Sequence, residues 1–268
     1  MSAISFNPVN TLNRAHSTSA SSLQKIATGS QHPSAANGAS EYAISKRMYS
    51  NIGAIAQSNA NTQTSNAMLS TAQGAVSNTV SSLTSLKEQL INAANGTNNA
   101  SDLANLQKSV DQTISQINEN AGVTFNGQKL LDGEHSTTVA GVNGDETVNF
   151  GNMTSQGLGL TNEDGSSAIN LTDSSSISSA LEKVDSALNA ALDQATSIGA
   201  AQQGLDYQSA NYTTMQENVT DAVSTLADTD LASEITKLKG SQTQEQLATW
   251  GVKMFMQNRA SALSLLQQ

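Results

Sequence analysis

The stretch VTFNGQKLLDG, residues 123–133, decides how this chain folds. Polar, Ala-rich segments with helical spacing lie on both sides of it. Asn-Gly is a dipeptide that tight turns favour, because both residues tolerate a positive φ. The stretch therefore predicts the end of a helix and a turn at Asn126-Gly127. The apolar residues expected to anchor this turn to the core are Phe125, Leu130 and Leu131.

Apolar residues recur every three or four positions on both sides of the turn, which is the period of an amphipathic helix. The upstream stripe consists of Ile44, Met48, Ile52, Ile55, Val76, Val80, Leu83, Leu86 and Leu90. It breaks at residues 92–102, where Ser101 or Asp102 is expected to cap the next helix, and it resumes at Leu103. Downstream, helical stripes start at Ile177 and continue towards the C-terminus.

The middle of the chain has a different pattern. Between residues 136 and 160, two pairs of apolar residues, Val139/Val142 and Val148/Phe150, flank the turn sequence Asn143-Gly144-Asp145. This pattern predicts a small β-hairpin, followed by a Gly-rich loop to about residue 175.

The order of these patterns predicts a mainly α protein. Its N- and C-terminal segments would pair as a long antiparallel helical bundle, with a small β-hairpin region in the middle. The predicted segments are a terminal helix segment (1–42), the N-terminal helical part of the bundle (43–131), a short β and loop region (132–176), the C-terminal helical part (177–230) and a second terminal helix segment (231–268).

The two terminal segments carry apolar stripes but have few partners within the chain. Two amphipathic helices alone bury only part of their apolar surface, so we expect them to complete their burial against other copies or another protein. The residues expected at this self-assembly surface are Leu12, Leu23, Ile26, Leu247, Trp250, Met254, Leu263 and Leu266.

Composition excludes several classes of function. The net charge of -10 disfavours nucleic-acid binding, which needs a basic surface. The chain has no Cys, which excludes disulfides, thiol catalysis and Cys-based zinc sites. No segment reaches the ~20 apolar residues of a membrane span. The N-terminus lacks the apolar core of a signal peptide, which predicts a cytoplasmic protein or export by a route that reads no such signal.

No motif predicts catalysis, a cofactor or a metal. His16, His32 and His135 are far apart and have no carboxylates at ligand spacing. Asp228-x-Asp230 is expected to cap the helix that begins near Leu231. No nucleophile motif accompanies the abundant Ser and Thr residues.

Taken in order along the chain, several stretches resemble bacterial flagellin, the subunit of the flagellar filament. SLQKIATGSQHPSAANGASEYAISKRMYSNI (22–52) is similar to the family's N-terminal helical stretch, and TFNGQKLLDG (124–133) to its Phe-Asn-Gly-x-x-Leu-Leu motif. LADTDLASE (226–234) and LSLLQQ (263–268) are similar to its C-terminal signature. The chain departs from the family pattern at Asn37-Gly38, Thr64-Ser65 and Gly204, so it is identified as a short, divergent member.

This resemblance implies a secreted structural protein that polymerises into the extracellular filament for motility and needs no cofactor. The implied partners are other copies of the subunit, the flagellar export apparatus and its chaperone, and the filament cap and junction proteins. The alternative is a hook–filament junction protein, a family that shares the terminal helices and the export route but assembles in a single ring. A soluble enzyme or binding domain is a third hypothesis, which no sequence feature supports.

The resemblance also carries an expectation about innate immunity. In many flagellins a helical Arg, with a nearby Leu and Glu, is recognised by a host surface receptor, and the matching positions here are Ser85, Gln89 and Ser109. Ser cannot replace the forked, charged donor of Arg. We therefore predict weak or absent activation of that receptor, and full potency in a reporter-cell assay would contradict this.

Overall fold

A computed structural model describes residues 8–134, 136–171 and 174–265. The helices of these ranges are α1 (Pro8–Thr28), α2 (Ala39–Ala93), α3 (Ala100–Ala121), α4 (Ser174–Ala227) and α5 (Leu231–Leu265). Two antiparallel hairpins lie between α3 and α4: β1 (Thr124–Phe125) pairs with β2 (Gln128–Lys129), and β3 (Ser136–Val139) pairs with β4 (Glu146–Asn149). The predicted fold class, mainly helical with a small β region in the middle, is confirmed.

The chain forms two compact units. One unit comprises the chain up to residue 53 and from residue 217 onward, and the other comprises residues 54–216. The divisions at 53/54 and 216/217 fall inside α2 and α4, whereas the segments predicted from the sequence divide the chain at 42/43 and 230/231. Contacts between helices, and not helix ends, therefore define the units.

The unit of residues 54–216 holds one continuous hydrophobic core. Three helices contribute apolar stripes to it, and alanines such as Ala72 and Ala191 let the helices approach closely. Its fully buried members include Leu83, Leu86 and Leu90 of α2, Ile117 of α3, and Val184, Ile198 and Leu205 of α4. The stripes that indicated helices in the sequence are therefore the faces that build this core.

Side-chain caps define where two of the helices begin. Asn99 caps α3: its side chain accepts hydrogen bonds from the backbone N–H groups of Ser101 and Asp102, and the Asp102 carboxylate accepts one from Asn99 N at 3.1 Å. The prediction of Ser101 or Asp102 as the cap is wrong, because Asp102 is the third helical residue of a capping box. Asp230 accepts bonds from the first-turn N–H groups of α5, which confirms a cap before Leu231.

The predicted turn at Asn126-Gly127 is confirmed. These residues have φ values of 50° and 79° and connect β1 to β2 in the register Phe125↔Gln128, as in a type I′ hairpin. Leu130 and Leu131 are buried in the core, whereas Phe125 is half-buried at its edge. The two-residue strands were not predicted, because they are too short to show an alternating pattern.

The second hairpin is confirmed, but its first strand lies earlier than predicted. Strand β3 ends at Val139, which pairs with Glu146, and the connection turns at Gly144 with φ 121°. Val142 lies in this connection and is exposed, so the pairing of Val139 with Val142 in one strand is wrong.

The connection between β3 and β4 packs against a buried tyrosine of α4. Tyr212 is fully buried, and its hydroxyl oxygen has no hydrogen-bond partner among the described residues. A Cβ added to Gly141 would collide with that oxygen. The close approach of this loop to α4 therefore requires glycine at position 141.

This contact predicts a coupled pair of substitutions. We expect Gly141→Ala to lower the free energy of unfolding by about 1–3 kcal/mol through overpacking. Tyr212→Phe should be neutral or stabilising, because it removes a buried oxygen without a partner. The double variant should recover most of the loss, since the colliding atom is gone. Urea unfolding of all four proteins measures the coupling, and simply additive effects would contradict it.

Candidate self-assembly surface

Helices α1 and α5 pack side by side and run antiparallel. Ser22 contacts Glu234 near the start of α5, whereas His16 contacts Glu245 further along it. We call this pair the terminal hairpin. The buried stripe between its helices, here called the seam, consists of Leu12, Ala15, Ser19, Ser22 and Ile26 of α1 and Glu234, Leu238, Ser241, Glu245, Ala248 and Val252 of α5.

Seam residues are spaced alternately by three and four positions, which is the heptad pattern of a coiled coil. Its most buried members are Ala and Ser, apart from Glu234. Small side chains let two helices approach closely but contribute little apolar area. The two helices of the terminal hairpin therefore lie close together, and the seam between them buries little apolar area.

The polar centre of the seam is Glu234, which is 4% exposed. Its Oε1 accepts a hydrogen bond from Lys237 Nζ at 2.9 Å, and its Oε2 accepts one from Ser22 Oγ at 2.9 Å. Lys25 Nζ lies 3.8 Å from Oε1. The hydrogen bonds from Lys237 and then Ser22 hold the pKa of Glu234 below its usual value, against the opposing effect of burial. The carboxylate is therefore ionised and paired across the seam.

Acid should loosen the terminal hairpin. A carboxyl group whose pKa is lowered by folding stabilises the fold above its unfolded-state pKa, and this contribution is lost as the pH falls through the lower, folded value. We expect the backbone amides of α1 and α5 to lose protection from hydrogen exchange below about pH 4. Hydrogen exchange of α1 and α5 as a function of pH measures this. In Glu234→Gln the acid-dependent step should shrink, and an unchanged step would contradict the assignment.

The opposite side of α5 is apolar and uncovered. Leu247, Trp250 and Met254 are 64%, 66% and 44% exposed. Because a helix turns about 100° per residue, these residues lie on the side of α5 that faces away from Ser241 and Ala248. We call them the outer stripe. Helix α5 thus has an apolar side that α1 does not cover.

Other exposed apolar side chains concentrate in the same unit. Among the described residues, its exposed large hydrophobic residues are Val9, Leu23, Ile44, Tyr49, Leu231, Ile235, Leu247, Trp250, Met254, Phe255 and Met256. Exposed large apolar side chains are therefore more frequent in this unit than in the unit of residues 54–216.

The residues predicted for self-assembly fall into two groups. Leu247, Trp250 and Met254 form the outer stripe, and Leu23 is 51% exposed beside the seam. Leu12 and Ile26 are half-buried in the seam itself. The side chain of Leu263 and the whole of Leu266 lie outside the described residues. The role of all these residues in assembly stays a prediction.

Apart from Leu12 and Ile26, sequence reasoning missed the seam. It followed the large apolar residues of α5, which lead to the outer stripe, and passed over Ser19, Ser22, Glu234, Ser241 and Ala248. The signal that identifies these residues is the heptad repeat of Ala and Ser in both terminal segments.

The described ranges give little support for a metal site or a membrane-spanning helix. No group of three or more His, Asp or Glu side chains that could hold a metal occurs there. His16 contacts Glu245 at 3.4 Å, His32 Nδ1 lies 2.9 Å from Asn37 O, and His135 is outside the described residues. None of the helices described is long and apolar enough to cross a membrane.

The positions that match the receptor-binding residues lie on α2 and α3. Ser85 is exposed, and the half-buried Gln89 donates a hydrogen bond to Thr113 Oγ1 at 3.2 Å. The groove beside them is lined by Ser, Thr and Gln residues and carries no charged side chain. Weak receptor activation remains the expectation, because Ser85 cannot supply the charged, forked donor of Arg.

Two family models match the chain. Residues 2–136 match the bacterial flagellin N-terminal helical region, and residues 181–266 match the bacterial flagellin C-terminal helical region. The flagellin of Bacillus subtilis (strain 168) is 28% identical, with 97% of each chain covered. These matches include both helices of the terminal hairpin.

Solved structures show a similar fold. The crystal structure of Bacillus cereus flagellin is 25% identical, covers 57% of this chain and 88% of that one, and has a TM-score of 0.50. A structure from Vibrio parahaemolyticus, described as a flagellar hook-associated protein, has a TM-score of 0.60 at 17% identity and covers 71% of this chain and 99% of that one. At this lower identity the likeness shows the fold alone.

Proposed function

Since the chain belongs to the bacterial flagellin family and is a structural subunit of the extracellular flagellar filament, we propose that its copies assemble through the outer stripe of α5. The observation that supports this proposal is that α1 covers the seam side of α5 and leaves the apolar outer stripe exposed. An exposed apolar stripe on a helix is a surface that a neighbour can bury. That neighbour would be another copy of the chain.

The contact would join different surfaces of the two copies. The outer stripe of one subunit would pack against the terminal hairpin of the next, where Leu23, Leu231 and Ile235 are also exposed. A contact between unlike surfaces does not close on itself unless the rotation forms a ring, so repetition generates a helical filament. In this arrangement residues 1–42 and 231–268 would form the filament core.

Further partners follow from the same proposal. The subunit would be exported through the flagellar export apparatus with a chaperone, and would meet the cap and junction proteins at the ends of the filament. It would act without catalysis. The junction-protein alternative is less favoured, because both matched family models are those of flagellin.

Electron microscopy of the purified full-length protein tests the proposal. We expect long filaments after polymerisation is induced, and a helical reconstruction in which the outer stripe contacts a neighbouring subunit. Short rings, a monomer that never polymerises, or filaments with Trp250 facing solvent would each contradict it.

A further inference from the structure

We propose that Met254 is an oxidation site through which hydroperoxides control assembly of the subunit. A sulfoxide at this position would put a polar group into the outer stripe and keep another copy of the chain from packing there. This role rests on the proposed function, because the outer stripe is the surface through which copies would assemble. It adds a chemical modification of one residue of that surface.

The methionines of the described residues differ in exposure. Two are buried in the core of residues 54–216, two are half-buried and two are exposed. These pairs are Met68 and Met153, Met48 and Met215, and Met254 and Met256. Met254 is 44% exposed and Met256 is 63% exposed. The exposed pair therefore lies within three residues of α5, in the helix that carries the outer stripe.

Exposure decides which methionines a peroxide reaches first. The buried and half-buried sulfur atoms include two that also accept a hydrogen bond, those of Met68 and Met215, each at 3.6 Å. Such a bond occupies a lone pair of the thioether sulfur. We therefore expect limited oxidation to modify Met254 and Met256 before the methionines of the core.

The reaction needs a hydroperoxide and no further reactant. The sulfur of Met254 attacks one peroxide oxygen, so that an S–O bond forms while the O–O bond breaks. The sulfur loses two electrons, and the hydrogen of the transferred oxygen passes to the leaving oxygen. With hydrogen peroxide the leaving group is water. The product, methionine sulfoxide, is polar where the thioether was apolar.

The position of Met254 makes this change relevant to assembly. Met254 lies four residues after Trp250 and seven after Leu247, so the three side chains share one side of α5. A neighbouring copy that packs on this side would remove water from the sulfoxide oxygen. An oxygen buried among apolar side chains without a hydrogen bond opposes the contact.

Met256 provides a matched comparison on the same helix. It is more exposed than Met254 and should be oxidised at least as readily. A step of two residues turns about 200° around a helix, which places Met256 on the side of α5 opposite Met254. Its sulfoxide would therefore lie outside the contact that the outer stripe makes.

Limited oxidation of the free subunit with hydrogen peroxide tests the proposal. Peptide mass spectrometry measures the sulfoxide at each methionine. Sedimentation then measures the lowest concentration at which the subunits polymerise. The unsubstituted chain is compared with Met254→Leu and Met256→Leu, because leucine is similar to methionine in volume and has no sulfur.

When most of Met254 is converted, we expect this concentration to rise roughly tenfold to a hundredfold in the unsubstituted chain. Met256→Leu should respond in the same way. Met254→Leu should change by less than about twofold, because the remaining sulfoxide at Met256 lies on a solvated surface. Methionine sulfoxide reductase with a thiol reductant should restore polymerisation, which would identify the sulfoxide as the cause.

Three results would overturn the proposal. The first is an equal rise in Met254→Leu, and the second is entry of the Met254 sulfoxide into filaments at the unmodified concentration. The third is a loss of helix content in the oxidised free subunit, seen by circular dichroism, because the sulfoxide would then unfold the chain and not block a surface.

Failure of the proposed function gives a different result. A neighbouring copy should cover Met254 in the filament, so its oxidation should be slower there than in the free subunit. Equal rates at Met254 in filaments and in free subunits would contradict assembly through the outer stripe. Subunits that never polymerise would contradict both proposals.

Discussion

Replacing both Leu247 and Trp250 with Ser is expected to abolish filament growth while the unit of residues 54–216 stays folded. Both side chains are about two-thirds exposed in the single chain, so their removal leaves no cavity. Burying each against a neighbouring subunit would contribute about 1.5–3 kcal/mol. Loss of both should raise the concentration needed for polymerisation by roughly 10²–10⁴-fold.

Sedimentation of polymerised protein measures the loss. Ile91→Ser is a suitable control, because Ile91 is 55% exposed at the end of α2 in the other unit, and it should polymerise normally. Trp250 is the only Trp of the chain, so its fluorescence should shift to shorter wavelength when unmodified subunits assemble. Normal filaments from the double variant would show that the outer stripe is not an assembly contact.

The two helices of the terminal hairpin show what a sequence can and cannot predict. The large residues Leu247, Trp250 and Met254 form a visible stripe in the sequence, and the structure leaves them exposed on the side of α5 that faces away from α1. The seam was hidden because Ala and Ser are common throughout the chain and carry no apolar signal. Only the observed pairing with α1 shows that Glu234 is buried, since acidic residues are normally exposed.

Between α3 and α4 the sequence was informative about turns and less so about packing. Asn126-Gly127 and Gly144 adopt positive φ values, as their residue types predict. Which side chains fill the core beneath these turns depends on the distant helix α4, as the contact of Gly141 with Tyr212 illustrates. Local spacing contains no information about such a partner.

Leu131→Ala is expected to lower the free energy of unfolding by about 2–5 kcal/mol, because Leu131 is fully buried in the core of residues 54–216 and its removal leaves a cavity. The Leu131 carbonyl also accepts a hydrogen bond from Met153 N at 2.8 Å, so the cavity opens where the segment after β2 contacts the segment after β4. Phe125→Ala, in the same motif, is the matched comparison. Phe125 has the larger side chain but is only half-buried, so we expect a loss of about 1–2 kcal/mol.

Urea unfolding of the two variants separates burial from side-chain size. If size governed the result, Phe125→Ala would be the more damaging change, since it removes more carbon atoms. The structure predicts the reverse order, because a half-exposed ring loses less contact with the core than a leucine enclosed by it. Equal losses, or a greater loss for Phe125→Ala, would mean that the ring of Phe125 packs more deeply than the structure places it. The Asn126-Gly127 turn would then be held to the bundle by the first strand of its hairpin instead of by the leucines that follow the second.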